Sequence, residues 1–202
     1  MKKSIHMILT LSIVGIISGA ALVGVYQYTH PLIEKNKEEA LQRAIFEVLP
    51  EAKDYDVITY NTVTKEVLLR EKDYRSTTEK EKVVYRGLDS SGAPIGYALE
   101  GEGAGYQGEI KIMIGIDPGL NNTIGIEILE SVETPGLGAK ITSPWFKDQF
   151  NNLKILPLVE LIKNKLPFKP NQVQAITGAT ISSQAVVDIV NKTLKQVREI
   201  LS

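Results

Sequence analysis

The 202-residue chain contains no cysteine and only two histidines, His6 and His30. Without cysteine there is no disulfide, no thiolate zinc site, no cysteine-ligated iron–sulfur cluster and no cysteine nucleophile. Both histidines sit at an N-terminal apolar stretch. The rest of the chain therefore has no imidazole for a Ser-His-Asp triad, a haem ligand or a His-based metal site. If this part of the chain moves electrons, it needs an organic cofactor. The net charge of −1 does not favour nucleic-acid binding, and 43% hydrophobic content opposes disorder. Absence of cysteine also suits a domain outside the cytoplasm, although many cytosolic domains share it.

What is present begins with a long apolar run. Met7 to Tyr28 carries no charged residue. As a helix it spans about 33 Å, enough to cross a bilayer core. A cleaved signal peptide is an alternative, with small residues at Ser18-Gly19-Ala20. A buried core helix is another, but no second apolar segment of that length exists to pack against it. The expectation is a single retained anchor. Lys2 and Lys3 on one side and Lys35 and Lys37 on the other nearly balance, so charge alone leaves orientation open. Pro31 to Leu49 reads as a helix continuing from the anchor. Leu41, Ala44, Ile45, Val48 and Leu49 form its apolar face, and Pro50 closes it. Its charged face is a solvated surface, a spacer from the bilayer or a partner contact. The expected organisation is a tip and anchor over 1–30, a juxtamembrane helix over 31–50 and one domain over 51–202.

That domain reads mainly as strands. One or two fall between Asp54 and Arg75, followed by a charge-rich loop over 77–82. Val83 to Glu102 reads as a hairpin turning at Asp89-Ser90-Ser91-Gly92. Gly101, Gly103, Gly105 and Gly108 then cluster around Tyr106, which fits either a flexible loop or bulge, or a close backbone approach to a flat ring. Residues 110–116 and 123–129 are β-branched runs joined through Asp117-Pro118-Gly119, and read as core strands. Pro135-Gly136 suits the centre of a type II turn. Ser143-Pro144 begins an expected capped short helix, with Trp145 and Phe150 as core. Another short helix is expected within 153–166, and Phe168-Lys169-Pro170 leads to the last motif.

The last motif is Gln174 to Ser183, a glycine-centred turn that opens a helix. Behind it Val186, Ile189, Val190, Leu194, Val197 and Leu201 recur at helical spacing. Ser182 or Ser183 is the expected N-cap. Thr180 then lies just outside the helix, where free N–H groups and the dipole favour an anion. Read by itself, the turn fits an ordinary capped helix better than an anion site.

Thr177-Gly178-Ala179-Thr180 resembles the [Ser/Thr]-Gly-Ala-Thr motif of the FMN-binding subunits of Rnf and Na+-translocating NADH:quinone reductase complexes. Residues 103–108, the following strand and 133–138 also resemble that family, in the expected order, as do the anchor and the overall length, which fit the Rnf G-type member better. The resemblance implies an α+β fold: an N-terminal transmembrane helix, then a single FMN-binding domain with mostly antiparallel sheet and flanking helices. It implies FMN joined to Thr180 by a phosphoester, with Thr177, Gly178, Ala179 and Ser183 around the attachment. It implies that Glu133, Thr134, Gly136, Leu137 and Gly138 border the isoalloxazine ring, with Tyr106 near it and Lys140 as a weaker candidate.

The resemblance further implies an electron relay in a ferredoxin:NAD oxidoreductase complex that moves Na+ or H+. The implied partners are the complex's other membrane and peripheral subunits, a flavin transferase and the lipid bilayer, with no nucleic acid. The implied location is the cell membrane, single-pass, with the large domain extracytoplasmic. One position departs from the pattern: Gln174 stands where the transferase's recognition sequence usually has Asp. Rival readings are a flavinylated subunit of another respiratory chain and a cofactor-free anchored binding or assembly module. A hydrolase is more distant, since Ser182 and Ser183 lack an evident base.

Overall fold

The computed structural model describes residues 2–61, 64, 66–72, 74 and 81–201. It forms two compact units, Met1–Gln42 and Arg43–Ser202. The first is carried by α1, which runs from Lys2 to Val48 with Pro31 inside it. Its side chains in the apolar run are exposed, Met7 and Leu11 to more than 70%. The helix is long and apolar enough to cross a membrane, and exposure of that kind is what a lipid-facing segment requires.

The second unit begins in the last turns of α1. Ala44, Ile45 and Val48, then Leu49, are buried, as their spacing requires. They lie against a six-stranded antiparallel sheet of order β2-β1-β3-β4-β5-β6. The strands are β1 Asp54–Asn61, β2 Val67–Arg70, β3 Glu81–Leu88, β4 Pro94–Ala104, β5 Glu109–Ile116 and β6 Thr123–Ser131. The expected hairpin pairs Val84 with Leu99 and turns through Gly92, and the two core runs pair Ile114 with Ile126. Asp117 closes their turn by accepting the N–H groups of Asn121 and Asn122. Most of the loop expected over 77–82 lies outside the described residues, as does Arg75; Glu81 and Lys82 open β3 instead.

The sheet has two covered faces. On one, Tyr85, Ala98 and Met113 are buried, and β5 comes so close to α1 that a Cβ on Gly115 would stand 2.2 Å from the Val48 carbonyl oxygen. On the other, Val84, Leu99, Ile112, Ile114 and Ile126 join one core with the residues that follow β6. Those residues form a 3₁₀ turn over Gly138–Thr142, α2 Pro144–Lys147, a second 3₁₀ turn over Asp148–Phe150, the strands β7 Glu160–Ile162 and β8 Gln172–Gln174, and α3 Thr180–Leu201.

Three expectations change here. Trp145 is 53% exposed, and Phe146 takes the core position with Phe150. The two phenylalanines, four apart, point inward and meet edge to face, with centroids 5.6 Å apart. Ser143 precedes α2, but its hydroxyl bonds back to Lys140 O and does not cap the helix. No helix forms over 153–166. The backbone there bonds outward: Asn191 of α3 holds both the N–H and the C=O of Val159 at 2.9 Å, Asn171 donates to Leu158 O, and β7 pairs in parallel with β8. These contacts satisfy the main chain in extended form, leaving a helix nothing to gain.

Glu160 secures the β7–β8 pair by accepting from Gln172 Nε2 (2.9 Å) and Lys169 Nζ (3.4 Å). The Gln172 bond first, then the Lys169 bond, holds its carboxyl below the usual range. A lowered value means that its stabilisation is present above the ordinary carboxylate range and is lost as pH falls through the lowered value. Protection from exchange of the Ala175 amide, which donates to Ile162 O at 2.8 Å, should fall in acid, and E160Q should flatten that dependence. In urea unfolding of the full chain in detergent, Phe146→Ala should cost about 3–5 kcal/mol. Trp145→Ala should stay within about 0.5 kcal/mol.

Candidate functional site

Three connections converge at the N-terminal end of α3. The first joins β4 to β5. Gly105 N–H bonds to Gly108 O at 2.7 Å, which tightens the loop and leaves Tyr106 at its tip, 62% exposed. The second follows β6. Gly136 has φ +75°, and Leu137 N–H reaches Thr134 O at 3.2 Å, the bond of the expected type II turn with Pro135 and Gly136 at its centre. The third joins β8 to α3, and Gly178 there has φ +82°.

Glu133 binds them together. It is buried, and its Oε1 accepts the N–H groups of Tyr106 (2.7 Å) and Gln107 (3.2 Å). Its Oε2 accepts the Ser182 hydroxyl at 2.5 Å, in the first turn of α3. The second and third connections also touch directly: a Cβ on Gly178 would lie 3.3 Å from Leu137 Cδ2.

Around Thr180 the local structure differs from the cap expected at Ser182 or Ser183. Thr180 is the first residue of α3. The helix begins earlier because Ala179 N–H turns back to Ile176 O at 3.0 Å and Ser183 N–H bonds to Ala179 O at 3.0 Å. Ser183 lies inside the helix. Its hydroxyl accepts from Ile176 N–H (3.1 Å) and donates to Ala179 O (2.9 Å), so it closes the turn from within. Ser182, the other expected cap, serves Glu133.

The resulting surface has defined chemistry. Thr177 and Gly178 are exposed, Thr180 and Thr134 half-buried, Ala179 and Gly138 buried. Leu137 is 46% exposed and Lys140 is exposed. As the first turn of a helix, Thr180, Ile181 and Ser182 present N–H groups without intrahelical acceptors. No acidic residue stands in that turn. The N-terminus thus offers donors and a positive dipole end beside the Thr180 hydroxyl, a setting for a phosphate. Tyr106 and Leu137 give exposed apolar surface for a flat ring. The residues present fit a flavin mononucleotide.

Two contributors were not singled out from sequence. Gln149 holds the Gln174 backbone from both sides, accepting its N–H at 2.7 Å and donating to its C=O at 3.3 Å. That side chain does for β8 what a neighbouring strand would do, and nothing in the local pattern marks it. The link from Ser182 to Glu133 spans 49 residues and has no local signal.

The FMN-binding domain family matches residues 105–195, an interval that contains all three connections. The chain is 33% identical, over 97% of its length and 95% of the relative, to the G-type subunit of the ion-translocating oxidoreductase complex of Methanosarcina acetivorans. It is 34% identical, over 93% of its length and 88% of the relative, to the G-type subunit of the Na+-translocating ferredoxin:NAD+ oxidoreductase complex of Acetobacterium woodii. Among solved structures, Shewanella oneidensis NqrC superposes with a TM-score of 0.70 at 18% identity, covering 82% of this chain and 99% of its own. The C-type subunit of the Na+-translocating NADH-quinone reductase of Parabacteroides distasonis gives 0.62 at 22% identity, covering 84% and 96%. Both share the fold.

Gly178→Ala should cost about 1–2 kcal/mol for its positive φ and should also displace Leu137. Gly136→Ala, with no neighbour within 4 Å of its Cβ position, should carry the strain alone. Thermal denaturation of the two variants side by side, with amide exchange at Leu137, separates the effects.

Proposed function

Because the chain belongs to the family of G-type subunits of Rnf-type ion-translocating oxidoreductase complexes, we propose that it relays electrons through an FMN joined by a phosphoester to the Thr180 hydroxyl. The observation that carries this is the convergence of the three connections on the first turn of α3, with Thr180 at the first helical position. When bound, FMN supplies one- and two-electron redox chemistry that no side chain of this domain offers.

The chain's own residues then have distinct tasks. Thr180 provides the oxygen that the phosphoester consumes, with formal loss of one water. The N–H groups of the first turn of α3 would hold the phosphate, and the dipole would favour its charge. Gly178, at positive φ, turns the chain between Thr177 and Thr180. Ala179 and Ser183 hold that turn closed. Thr134 and the backbone of Gly136 and Gly138 offer hydrogen bonds at the ring edge. Leu137 would cover one ring face and Tyr106 would border it. No residue in this arrangement has to act as a nucleophile or general base during electron transfer.

The same reading sets the surroundings. Residues 1–30 anchor the chain once through the cell membrane, 31–50 continue as a helix, and 51–202 stand outside the cytoplasm. A flavin transferase attaches the cofactor, and the other membrane and peripheral subunits exchange electrons with it. A covalent bond suits that location, since a dissociable flavin there is lost by dilution. Gln174 presents its backbone to Gln149, which leaves its half-buried side chain as the feature that differs from the usual Asp.

The deciding experiment co-expresses the full chain with a flavin transferase and maps the modified peptide by mass spectrometry. The expected peptide contains Thr180 and carries FMN less one water. Thr180→Ala should abolish the modification and leave a folded, membrane-bound chain. Covalent flavin that survives in that variant, or a wild-type peptide unmodified at full coverage, overturns the reading.

A further inference from the structure

Glu133 carries more than the sequence motif around it suggests. It is 6% exposed, and among the described residues no ion pair includes it. A buried carboxylate without a cation is tolerated only where hydrogen-bond donors replace its water. Here three donors do so, and they come from two other chain segments: Tyr106 and Gln107 N–H on Oε1, and the Ser182 hydroxyl on Oε2.

Two motif glycines exist in the shadow of this one group. A Cβ on Gly105 would stand 2.2 Å from Glu133 Oε1, and a Cβ on Gly138 would stand 2.6 Å from Oε2 and 2.8 Å from Ser182 Oγ. Neither glycine has a positive φ, so backbone conformation does not demand them. Close packing does: the carboxylate is the nearest neighbour at both, joined by Ile110 Cδ1 and Gly108 O at Gly105 and by Ser182 Oγ at Gly138. Gly105, Gly138, Ser182 and Glu133 are therefore one packed unit, although they are spread over 78 positions of the chain from first to last.

We infer that Glu133 is a positioning residue of the FMN site: it locks the Tyr106 loop to the first turn of α3 and so holds the flavin's surroundings rigid without touching the attachment chemistry. This rests on the reading of the three connections as the FMN site. Both carboxylate oxygens already accept from protein donors, Oε1 from two and Oε2 from one, so Glu133 acts through Tyr106 and α3. When the lock is removed, Thr180 keeps its hydroxyl and its place at the start of α3, but the loop that borders the ring is no longer tied to that helix. Geometry carries the effect more than charge. A glutamine at this position can still accept both N–H groups on its amide oxygen, and can donate its amide N–H to the Ser182 hydroxyl.

The test uses the full chain in detergent after co-expression with a flavin transferase, as wild type, E133A, E133Q and S182A. Flavin on the Thr180 peptide is measured by mass spectrometry, and flavin environment by fluorescence anisotropy and iodide quenching. E133A should retain FMN on Thr180, with anisotropy lowered and quenching raised several-fold towards that of the unfolded flavopeptide. E133Q should restore both to near the wild-type values, and S182A should fall between. E133A with wild-type anisotropy and quenching overturns the inference, as does E133Q behaving like E133A. A folded E133A chain without flavin overturns it too, by making Glu133 part of what the transferase recognises. If E133A does not fold, S182A decides: unchanged quenching in that variant overturns the lock. Wild-type chain without FMN on Thr180 removes the underlying reading instead, so the two failures are distinguishable.

Discussion

The structure depends on how closely α3 can approach the sheet. Gly101 and Gly103 of β4 lie beneath it, and a Cβ on Gly101 would stand 2.4 Å from Thr193 Oγ1 and 2.8 Å from Ile189 Cγ2. One larger residue here would lift the helix off the strand. Van der Waals contact along this line, with Val186, Val190, Leu194 and Val197 buried alongside, fixes the rotation and height of α3. The position of Thr180 follows from that seating. Further down the helix, Asn191 grips Val159, and Arg198 donates to Ile155 O at 2.9 Å. The helix is therefore held from its first turn to its last, and its N-terminus is a fixed point around which the two glycine-rich loops are arranged.

The elements visible in the sequence are those whose signals are local. β5 and β6 are β-branched runs with a turn residue between them. α3 announces itself by spacing, and the Pro135-Gly136 turn by residue type, because only a positive φ satisfies its third position. Capping preference places the start of α3 too late, because serine is a good cap in isolation. Here both serines have stronger claims on them, Ser182 from Glu133 and Ser183 from the turn beneath it. A helix boundary settled by tertiary bonds cannot be read from capping preference.

The segment after α2 shows the same limit. Residues 153–166 have apolar positions that permit a short helix, yet they run extended because Asn171, Asn191 and β8 supply main-chain partners from elsewhere. Trp145 and Phe146 are neighbours of similar hydrophobicity, and composition cannot say which turns inward; the pairing of Phe146 with Phe150 decides it. At the site, residue types were legible and roles were not. Glu133 and Gly138 stand out as part of a short motif, but their shared constraint with Gly105 and Ser182 exists only once β4, β6 and α3 are brought together. The family relationship supplies what local pattern lacks: it links positions distant in sequence before any contact between them is seen.

Nothing in the buried core is drawn from the outward side chains of the three connections. Tyr106, Leu137 and Thr177 are exposed and Thr180 is half-exposed, while the core closes through the strands, the segment after β6, α3 and the inward residues Ile176 and Ala179 of the third connection. Thr180 also occupies the helical position whose own N–H has no intrahelical acceptor, so altering its side chain leaves the helix ladder intact. The order of maturation follows. On the proposed attachment at Thr180, the polypeptide can reach its final shape first, and loading becomes a late step on a finished surface. Under the same proposal, folded chains and flavin-carrying chains are separable populations, and the supply of flavin sets the ratio between them.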